Sequence, residues 1–384
     1  MNLEPVTGDD PRDVLRALKS ALHGAGPALG LGLVSELPGQ VRPGTAVVVT
    51  TSGSTGVPKS VVLSRDALTA SALATADRVG EGAWLLALPA SYVAGMQVLV
   101  RSIVADREPA ILSGSFTPQS FAAAALMMAS SERGLRIPTY TSLVPAQLAT
   151  LLDAAEQDAA VRTALRSFET ILVGGQALPP VTLERAEAAG ARVVRTYGST
   201  ETSGGCVYDG TPLRGVRVRI ERGEVQVAGP TLAEGYLGDD ELTDAVFPRA
   251  ADGTRWYRTG DAGLLEDGLL RVRGRIDNVI VSGGVNVSLD RVERVVRTVP
   301  GLSGAVVVGV PDERWGEASV VVAIRGESLR RSESVQLEEA RAAVKDEIGS
   351  YARPSRLVLV DELATLPSGK PDREAIRRAV AALH

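Results

Sequence analysis

The chain has 384 residues, a formal net charge of −5 and 45% hydrophobic residues. A chain of this length is long enough for two domains, and its apolar content argues against global disorder. A net negative charge without a basic block argues against nucleic acid as a partner.

Cysteine, histidine and lysine are all scarce. The single cysteine, Cys206, cannot form an intrachain disulfide, which suits a reducing compartment. The sequence has no signal pattern and no run of about 18 apolar residues, so we expect a cytoplasmic protein without integral membrane contact. Histidine occurs only at positions 23 and 384, which argues against a histidine-based triad or metal cluster. Lys59 and Lys370 lie in Gly/Ser/Pro loops, where we expect an amine to perform a task that a guanidinium cannot.

The first half of the chain alternates apolar strands with helices. Helical spacing predicts a helix over 11–23, and the Gly/Pro-rich stretch 24–44 is expected to be irregular. Strands are then predicted at 46–49, 61–63, 84–88, 110–112, 139–143, 170–173 and 193–196, and helices at 65–78, 95–105, 118–131, from 145 onward and at 180–189. This alternation indicates a parallel, layered α/β sheet, whose ligands bind beyond the carboxyl ends of the strands.

The second half changes character. Short alternating runs over 213–275, split by turn residues, predict an antiparallel sheet or a small barrel. After Asp277, the pattern predicts a small α+β unit with a helix at 290–299, strands at 305–310 and 319–324, and helices at 336–348 and 373–383. We therefore expect an α/β and α+β fold, with a large N-terminal domain of residues 1–275 and a small C-terminal domain of residues 276–384.

A loop rich in hydroxyls and glycine follows a short apolar strand, at 50–59, with the sequence T-T-S-G-S-T-G-V-P-K. Glycine lets a backbone approach a phosphate closely, hydroxyls and backbone N–H groups donate to phosphate oxygens, and Lys59 adds a positive charge. The alternative is a flexible surface loop. The run is not a Walker-A loop, because Pro58, which has no N–H group, stands where that motif requires its second glycine.

Two further polar clusters follow strands of the predicted sheet. Gly174-Gly175-Gln176 allows close backbone contact with a ligand, or it is an ordinary turn. At 197–201, Y-G-S-T-E, the ring of Tyr197 can stack on a purine and the carboxylate of Glu201 can hold Mg²⁺ near phosphates. The alternative is an aromatic residue at a strand end beside a solvated glutamate.

These stretches resemble, in the same order, the motifs of the adenylate-forming superfamily, which includes acyl-CoA synthetases, firefly luciferase and the adenylation domains of peptide synthetases. The run at 50–59 resembles its ATP-phosphate loop, and the next two clusters resemble its G-G-x and Y-G-x-T-E motifs. Later stretches complete the resemblance: Y-R-T-G-D at 257–261, G-R-I-D at 274–277, I-V-S-G-G-V-N at 280–286 and L-P-S-G-K-P-D-R at 366–373.

The resemblance implies ATP as a substrate and Mg²⁺ as its metal. The ATP-binding residues would be Thr51, Ser52, Gly53, Ser54, Thr55, Gly56, Lys59, Gly174, Gly175, Gln176, Tyr197, Gly198, Thr200, Asp261 and Arg275. Within this set, Asp261 would accept hydrogen bonds from the ribose hydroxyls, and Glu201 would bind the Mg²⁺.

The resemblance also implies two half-reactions. Lys370, with Lys59 and Glu201, would catalyse the first, in which the acyl-adenylate forms. Asp277 would be the hinge of a mobile C-terminal lid that carries Lys370. Rotation of this lid would bring a different loop, Ser282-Gly283-Gly284, to the site for thioester formation with coenzyme A.

Three stretches resemble one branch of the superfamily, the o-succinylbenzoate–CoA ligases of menaquinone biosynthesis: 88–102, 141–148 and 200–210. The run G-G-C-V-Y-D-G at 204–210 is the most specific of them. The resemblance implies that 2-succinylbenzoate, ATP and coenzyme A are converted to a CoA thioester, AMP and pyrophosphate. The substrate pocket would contain Tyr92, Val93, Gly95, Gln97, Arg101, Ser142, Leu143, Thr202, Gly204 and Gly205.

One feature departs from the family pattern, because the chain has no histidine near Ser91-Tyr92. We expect Tyr92 to take the gating part of that histidine. Arg101 is either a pocket residue or a charge on a helix surface. The alternative functions are another carboxylate–CoA ligase, an adenylation enzyme that loads a carrier protein, or an idle nucleotide-binding protein, against which the intact motif residues argue. Homodimers are frequent in the family, so the resemblance allows a homodimer.

Overall fold

A computed structural model describes residues 1–6, 10–32, 39–51, 58–128, 131–132, 134–325, 333–366 and 369–383. Its helices are α1 Pro11–Leu22, α2 Arg65–Val79, α3 Val93–Val104, α4 Pro118–Leu126, α5 Pro145–Ala155, α6 Ala159–Ser167, α7 Pro180–Ala188, α8 Asp240–Val246, α9 Leu289–Val296, α10 Glu333–Glu347 and α11 Arg373–Ala381, with 3-10 turns at Thr200–Thr202 and Ser350–Ala352.

Its strands are β1 Leu3–Pro5, β2 Ala28–Leu31, β3 Thr45–Thr51, β4 Lys59–Ser64, β5 Ala83–Leu86, β6 Ala110–Ile111, β7 Ser131–Glu132, β8 Leu135–Arg136, β9 Thr139–Leu143, β10 Thr170–Val173, β11 Val193–Ser199, β12 Gly204–Tyr208, β13 Thr211–Pro212, β14 Arg217–Glu221, β15 Glu224–Ala228, β16 Gly235–Tyr236, β17 Tyr257–Glu266, β18 Leu269–Arg275, β19 Val279–Ser282, β20 Val285–Ser288, β21 Val306–Asp312, β22 Gly316–Ile324 and β23 Arg356–Val360.

The predicted parallel sheet is confirmed. Seven strands lie in the order β13-β12-β11-β10-β9-β5-β6, and those from β11 to β6 pair in parallel. Strands β9 and β10 are apolar or buried along their whole length, as expected for a sheet covered on both faces. Because β5, β9, β10 and β11 run in the same direction, the residues that follow them meet at one edge of the sheet.

A second sheet, in the order β1-β2-β3-β4-β16, corrects one prediction. The stretch 24–44 was expected to be irregular, but β2 lies within it and pairs in parallel with both β1 and β3. All four residues of β2 are buried, so pairing and burial override the low strand propensity of its glycine. The predicted helix at 118–131 was too long. It ends at Leu126, and the next side chain, Met127, is 85% exposed, so burial does not favour another turn there.

The stretch over 213–275 forms an antiparallel sheet, and no closed barrel is seen in this described part of the chain. Strands β14, β15, β17 and β18 lie in that order, with β14 and β18 at the edges. Of the two predicted alternatives, the antiparallel sheet is therefore the one observed. It abuts the carboxyl edge of the parallel sheet through Tyr257, which packs in the large apolar core.

The elements from β19 to α11 form an α+β unit with its own core. Strands β20-β19-β22-β21, with β23 beside β22, are packed against α9, α10 and α11. The predicted loop at 280–286 is a hairpin: Gly283 and Gly284 both have positive φ angles, +57° and +81°, which a two-residue type I′ turn requires. The two apolar clusters of this unit begin at Ile280, whereas the clusters of the preceding part contain no residue beyond Val272. No helix in the described ranges is long and apolar enough to cross a membrane.

Candidate active site

A cavity of about 690 Å³ opens at the carboxyl edge of the parallel sheet. It is lined by residues from both sheets of the large part, from the antiparallel sheet, and from the last α+β unit. The predicted site residues on its wall are Thr51, Lys59, Tyr92, Val93, Gly95, Gln97, Arg101, Ser142, Leu143, Gly174, Gly175, Gly198, Thr200, Glu201, Gly204, Gly205, Arg275 and Lys370. Ser52, Gly53, Ser54, Thr55 and Gly56 lie outside the described residues.

Lys59 lies at one end of this cavity, at the start of β4. The register pairs it with Thr51, and the hydroxyls of Thr50 and Ser60 share a hydrogen bond of 3.0 Å one step further along the same pair of strands. The Lys59 ammonium lies 5.7 Å from the centre of the Tyr236 ring. A positive charge is therefore fixed on a rigid strand pair beside the loop predicted to bind phosphate.

Glu201 lies across from β4, in the 3-10 turn that follows β11. The hydroxyl of Tyr236 donates a hydrogen bond of 3.0 Å to Glu201 Oε1. Burial, and then the adjacent Glu201 carboxylate, raise the pKa of Tyr236, so its hydroxyl remains a donor. This donor holds one carboxylate oxygen and leaves the other open to the cavity.

A magnesium ion fits this arrangement only as a partner of a bound phosphate. In the described ranges, no group of three or more His, Cys, Asp or Glu residues could hold a metal on its own. Mg²⁺ is commonly held by one or two carboxylates, phosphate oxygens and water, and Glu201 supplies one carboxylate. The donor set therefore suits a nucleotide-bound Mg²⁺ and does not suit a metal held by the protein alone.

Asp261, the residue predicted to bind the ribose of ATP, is held by a hydrogen bond and an ion pair. The hydroxyl of Tyr197 donates to Asp261 Oδ2 at 2.6 Å, and Arg275 Nη1 lies 3.5 Å from Asp261 Oδ1. Burial raises the pKa of Asp261, although the Tyr197 hydrogen bond and the Arg275 charge oppose this shift. Tyr197 and Asp261 are not on the wall of the cavity itself. The hydroxyl of Tyr197 thus holds Asp261, and the stacking of its ring on a purine stays a prediction.

Arg275 is held on the cavity wall by a fork-shaped ion pair. Its Nε and Nη2 donate to the two carboxylate oxygens of Asp277 at 2.9 and 3.0 Å, and its Nη1 donates to the Thr259 carbonyl at 2.8 Å. The Asp277 hydrogen bonds raise the pKa of Arg275, and the same contact lowers the pKa of Asp277. The predicted hinge residue is thus bonded to a predicted nucleotide-binding residue.

Lys370 reaches the same cavity from the last α+β unit. Its loop is closed by hydrogen bonds of 2.8 Å from the Leu366 N–H to the Lys370 carbonyl and from the Gly369 N–H to the Leu366 carbonyl. Part of the Lys370 residue is exposed to solvent, but its ammonium is buried. This burial lowers the pKa of Lys370, and the negative charges of Glu201 and Asp261 oppose the shift. No ion pair neutralises Lys370 within the described part of the chain, so its charge is available to a ligand.

Arg101 is not a helix-surface charge; it is buried, with 6% of the residue exposed. Its Nη1 and Nη2 donate to the hydroxyls of Ser142 and Tyr208 at 3.4 and 3.5 Å, and its guanidinium lies 4.8 Å from the centre of the Trp84 ring. Its Nε has no hydrogen-bond partner, and no acidic residue of the described ranges lies close enough to neutralise the charge. A buried cation without an anion, on the wall of a cavity, is suited to an anionic ligand.

Several predicted site residues lie away from the cavity wall. Thr202 is buried and is not on this wall, and its hydroxyl donates to the backbone of the turn around it, so its place in the substrate pocket stays a prediction. Gln176 follows the two cavity glycines but is not on the wall. Ser282, Gly283 and Gly284 also lie off it, beside Trp315. Asp277 lines an adjoining cavity of about 790 Å³, which shares Arg275 with the first.

Three aromatic residues matter to the site but were not selected from the sequence: Trp84, Tyr208 and Tyr236. Trp84 and Tyr208 stand in apolar or family-like runs, where they resembled ordinary core residues. Tyr236 belongs to a two-residue strand, β16, that pairs with β4. Only this pairing, which joins distant parts of the sequence, brings its hydroxyl to Glu201, so no local pattern predicts its role.

Comparisons with known proteins agree with this geometry. A family model described as AMP-binding enzyme matches residues 35–237, and one described as AMP-binding enzyme C-terminal domain matches residues 291–370. A probable 2-succinylbenzoate–CoA ligase of Mycobacterium tuberculosis (strain ATCC 25618 / H37Rv) is 40% identical over 386 residues, covering 96% of this chain and 95% of the relative. A medium/long-chain-fatty-acid–CoA ligase, FadD8, of the same strain is 33% identical and covers 85% of this chain and 60% of the relative.

Among solved structures, a variant of E. coli MenE with bound OSB-AMS is similar, with a TM-score of 0.70 and 27% identity, covering 93% of this chain and 74% of that one. The first family model spans more than half of the chain, and the mycobacterial relative covers nearly all of it. This protein therefore belongs to the AMP-binding enzyme family and is similar to members named 2-succinylbenzoate–CoA ligases.

Proposed function

We propose that this protein is an ATP-dependent 2-succinylbenzoate–CoA ligase of menaquinone biosynthesis. The observation that carries the proposal is that the wall of one cavity carries two cations that form no ion pair in the described chain, Lys370 from the α+β unit and the buried Arg101. The first suits a reacting carboxylate and phosphate, and the second suits another carboxylate on the same substrate. A dicarboxylate such as 2-succinylbenzoate meets both requirements.

The reaction has two steps. In the first, a carboxylate oxygen of the substrate bonds to the α-phosphorus of ATP, and the bond to pyrophosphate breaks. In the second, the thiolate of coenzyme A bonds to the carbonyl carbon of the acyl-adenylate, and AMP leaves with the electron pair of the broken C–O bond. No covalent bond to the protein forms, so the side chains act by positioning and by charge neutralisation.

In the first step, Lys59 and the backbone beside Thr51 hold the phosphates, and the Lys370 ammonium lies at the reacting oxygens. Glu201 would hold a nucleotide-bound Mg²⁺, and this ion would supply further neutralisation of phosphate charge. Asp261 and Arg275 hold the ribose end of the nucleotide. Two anions must approach each other in this step, which explains why the cavity presents several cations and one carboxylate near the phosphates.

At the other end of the cavity, Arg101 pairs with the carboxylate that does not react. Planar guanidinium and carboxylate groups match in a two-bond fork, which gives orientation as well as attraction. Tyr92 stands beside this end of the cavity, at the start of α3, and takes the gating part between the acyl and thiol approaches.

For the second step, we propose that residues 276–384 rotate as a lid about Asp277 relative to residues 1–275. Separate apolar cores on either side of this boundary support the division. Rotation would withdraw Lys370 and bring Ser282, Gly283 and Gly284 to the cavity. The hairpin that carries them exposes Val281 and Val285, at 50% and 41%, beside Trp315 at 47%, an apolar surface suited to cover by the large domain.

The test is pyrophosphate release from MgATP with 2-succinylbenzoate, benzoate, medium-chain fatty acids and amino acids, each with and without coenzyme A. Rapid release with 2-succinylbenzoate alone, and a CoA thioester when coenzyme A is present, is the expected result. The similarity to FadD8 makes a fatty-acid–CoA ligase the second candidate. A buried cation at the acyl end argues against it, and faster release with a fatty acid would overturn the proposed substrate. ATP and coenzyme A are supplied in the cytoplasm, where we place the reaction.

A further inference from the structure

Behind Arg101 lies a chain of buried hydroxyls that begins on α2. Thr75 Oγ1 donates to the Ser71 carbonyl at 2.9 Å and lies 3.0 Å from the hydroxyl of Tyr208. Thr75 and Tyr208 are both fully buried. Tyr208 lies on β12 and lines the cavity, and its oxygen accepts a hydrogen bond from Arg101 Nη2 at 3.5 Å.

The contact between Thr75 and Ser71 gives these hydrogen bonds one consistent direction. A threonine hydroxyl has one proton, and here it is donated to the Ser71 carbonyl. In this arrangement Thr75 Oγ1 accepts from Tyr208, and the Tyr208 proton points away from Arg101. The Tyr208 oxygen is left with its lone pairs toward the guanidinium, which is the orientation that a cation requires.

Among the described residues, all groups that hold Arg101 are uncharged. They are the hydroxyls of Ser142 and Tyr208 and the face of the Trp84 ring. A carboxylate at any of these places would neutralise the guanidinium and remove the attraction for a ligand anion. Neutral oxygens and an aromatic face orient the side chain but leave its charge unpaired.

We propose that Tyr208, oriented by Thr75, is a positioning residue that aims Arg101 at the second carboxylate of the substrate and so selects dicarboxylates over monocarboxylates. This inference rests on the proposed function. Arginine has many rotamers, and a fork-shaped pair with a carboxylate is lost when the guanidinium turns. An uncharged acceptor behind the guanidinium restricts its orientation without competing for its charge.

The first test replaces Tyr208 with phenylalanine, which keeps the ring and removes the acceptor. The matched control is Tyr140→Phe, because Tyr140 is equally buried, packs on the same Trp84 ring and, within the described ranges, uses its hydroxyl for the Val79 carbonyl alone. We expect Tyr208→Phe to raise the KM for 2-succinylbenzoate roughly tenfold, the loss of one hydrogen bond to a charged group. The KM for ATP should not change, and Tyr140→Phe should leave both KM values as in the wild type.

The substrate gives a second comparison within the same variant. Two analogues of 2-succinylbenzoate, each without one carboxylate, separate the effect on Arg101 from an effect on the whole pocket. For whichever analogue still forms an adenylate, Tyr208→Phe should leave the KM unchanged. An equal rise for the dicarboxylate and the monocarboxylate would show that Tyr208 only maintains the pocket, and it would overturn the inference.

Thr75 provides a variant that leaves Tyr208 in place. Thr75→Val removes the acceptor of the Tyr208 proton and should raise the KM for the dicarboxylate in the same sense, whereas Thr75→Ser keeps the hydroxyl and should restore the wild-type value. If the wild type does not turn over 2-succinylbenzoate, the proposed function fails. If it does, and both Tyr208→Phe and Thr75→Val match the wild type, only the positioning inference fails.

Discussion

Lys370 lies against Gly175, with its Cε 3.5 Å from the point that a Cβ on Gly175 would occupy. The two residues come from different cores, since Gly175 follows β10 of the parallel sheet and Lys370 precedes α11 of the last unit. The contact puts an ammonium over the glycine pair of the cavity. This is the arrangement that we propose for the first half-reaction, and Ser282, Gly283 and Gly284 lie off the wall in the same arrangement.

We expect Lys370→Ala to slow adenylate formation by a factor on the order of 10² to 10³, the usual effect of removing one preorganised charge at a reacting oxygen. The measurement is single-turnover formation of the acyl-adenylate from MgATP and 2-succinylbenzoate. The same variant should still convert supplied acyl-adenylate and coenzyme A to the thioester. Lys345→Ala, which changes an exposed lysine of α10, is the control. Equal loss of both half-reactions would contradict the separate roles of the two loops.

In a plot of the adenylation rate against pH, the fall at high pH should reflect the loss of the proton from Lys370. Burial lowers the pKa of its ammonium from the ordinary lysine value of 10.5. The protonated form is the active one, so the rate should be constant at lower pH and fall as pH rises through this lowered pKa. In Lys370→Arg, whose guanidinium stays protonated, this fall should be absent even if the rate is low. A fall at the same pH in both proteins would assign the titration to another group.

Glu201→Gln should weaken the binding of Mg²⁺, so that more Mg²⁺ is needed for the reaction. The amide keeps the size of the side chain and its acceptor for Tyr236 but removes the charge that attracts the metal. We expect the Mg²⁺ concentration for half-maximal pyrophosphate release to rise about tenfold or more. Glu184→Gln, an exposed change on α7, serves as the control. Unchanged Mg²⁺ dependence in Glu201→Gln would remove this residue from the metal site.

Much of the secondary structure could be predicted from the sequence, because many strands and helix starts are determined by residues close together in the chain. Strands β9 and β10 and the start of α5 fall where periodicity and proline predicted them. The errors lie where long-range pairing decides. Strand β2 depends on β1 and β3, and the roles of Tyr236 and Tyr208 depend on partners 35 and 133 residues away along the chain. Thr202 was assigned to the pocket from a run that resembles the family, but the sequence does not show on which side of the turn its hydroxyl lies.

Arg101→Leu should raise the stability of the protein and weaken its binding of 2-succinylbenzoate. The side chain is buried without an acidic partner, so its desolvation is not repaid within the described protein. Leucine can fill the space beside Trp84, and we expect the free energy of unfolding to rise by about 1 kcal/mol. The KM for 2-succinylbenzoate should rise at least 100-fold, as expected when a substrate carboxylate loses its guanidinium. Urea unfolding and steady-state assays measure the two effects. A less stable variant would mean that the wild-type guanidinium already has a compensating partner.

Glu293 pairs with Arg373 at the start of α11, three residues after Lys370, and lies in α9 of the last unit. We expect its charge to stabilise that unit strongly. Its Oε2 pairs with Arg373 at 2.7 Å and accepts from the Val307 N–H, and its Oε1 pairs with Arg297 at 2.8 Å. Glu293→Gln would leave Arg297 without its paired carboxylate and would leave Arg373 with the longer 3.7 Å pair to Asp290, and we expect a loss of about 3 kcal/mol in unfolding free energy. Glu374→Gln, which breaks an exposed pair with Arg377, should leave the urea midpoint unchanged. Equal midpoints for both variants would show that the buried group contributes no more than a surface pair. A selective loss would also slow adenylation, because Arg373 follows Lys370 by three residues and anchors the start of α11 to β21 through the Val307 carbonyl at 2.9 Å.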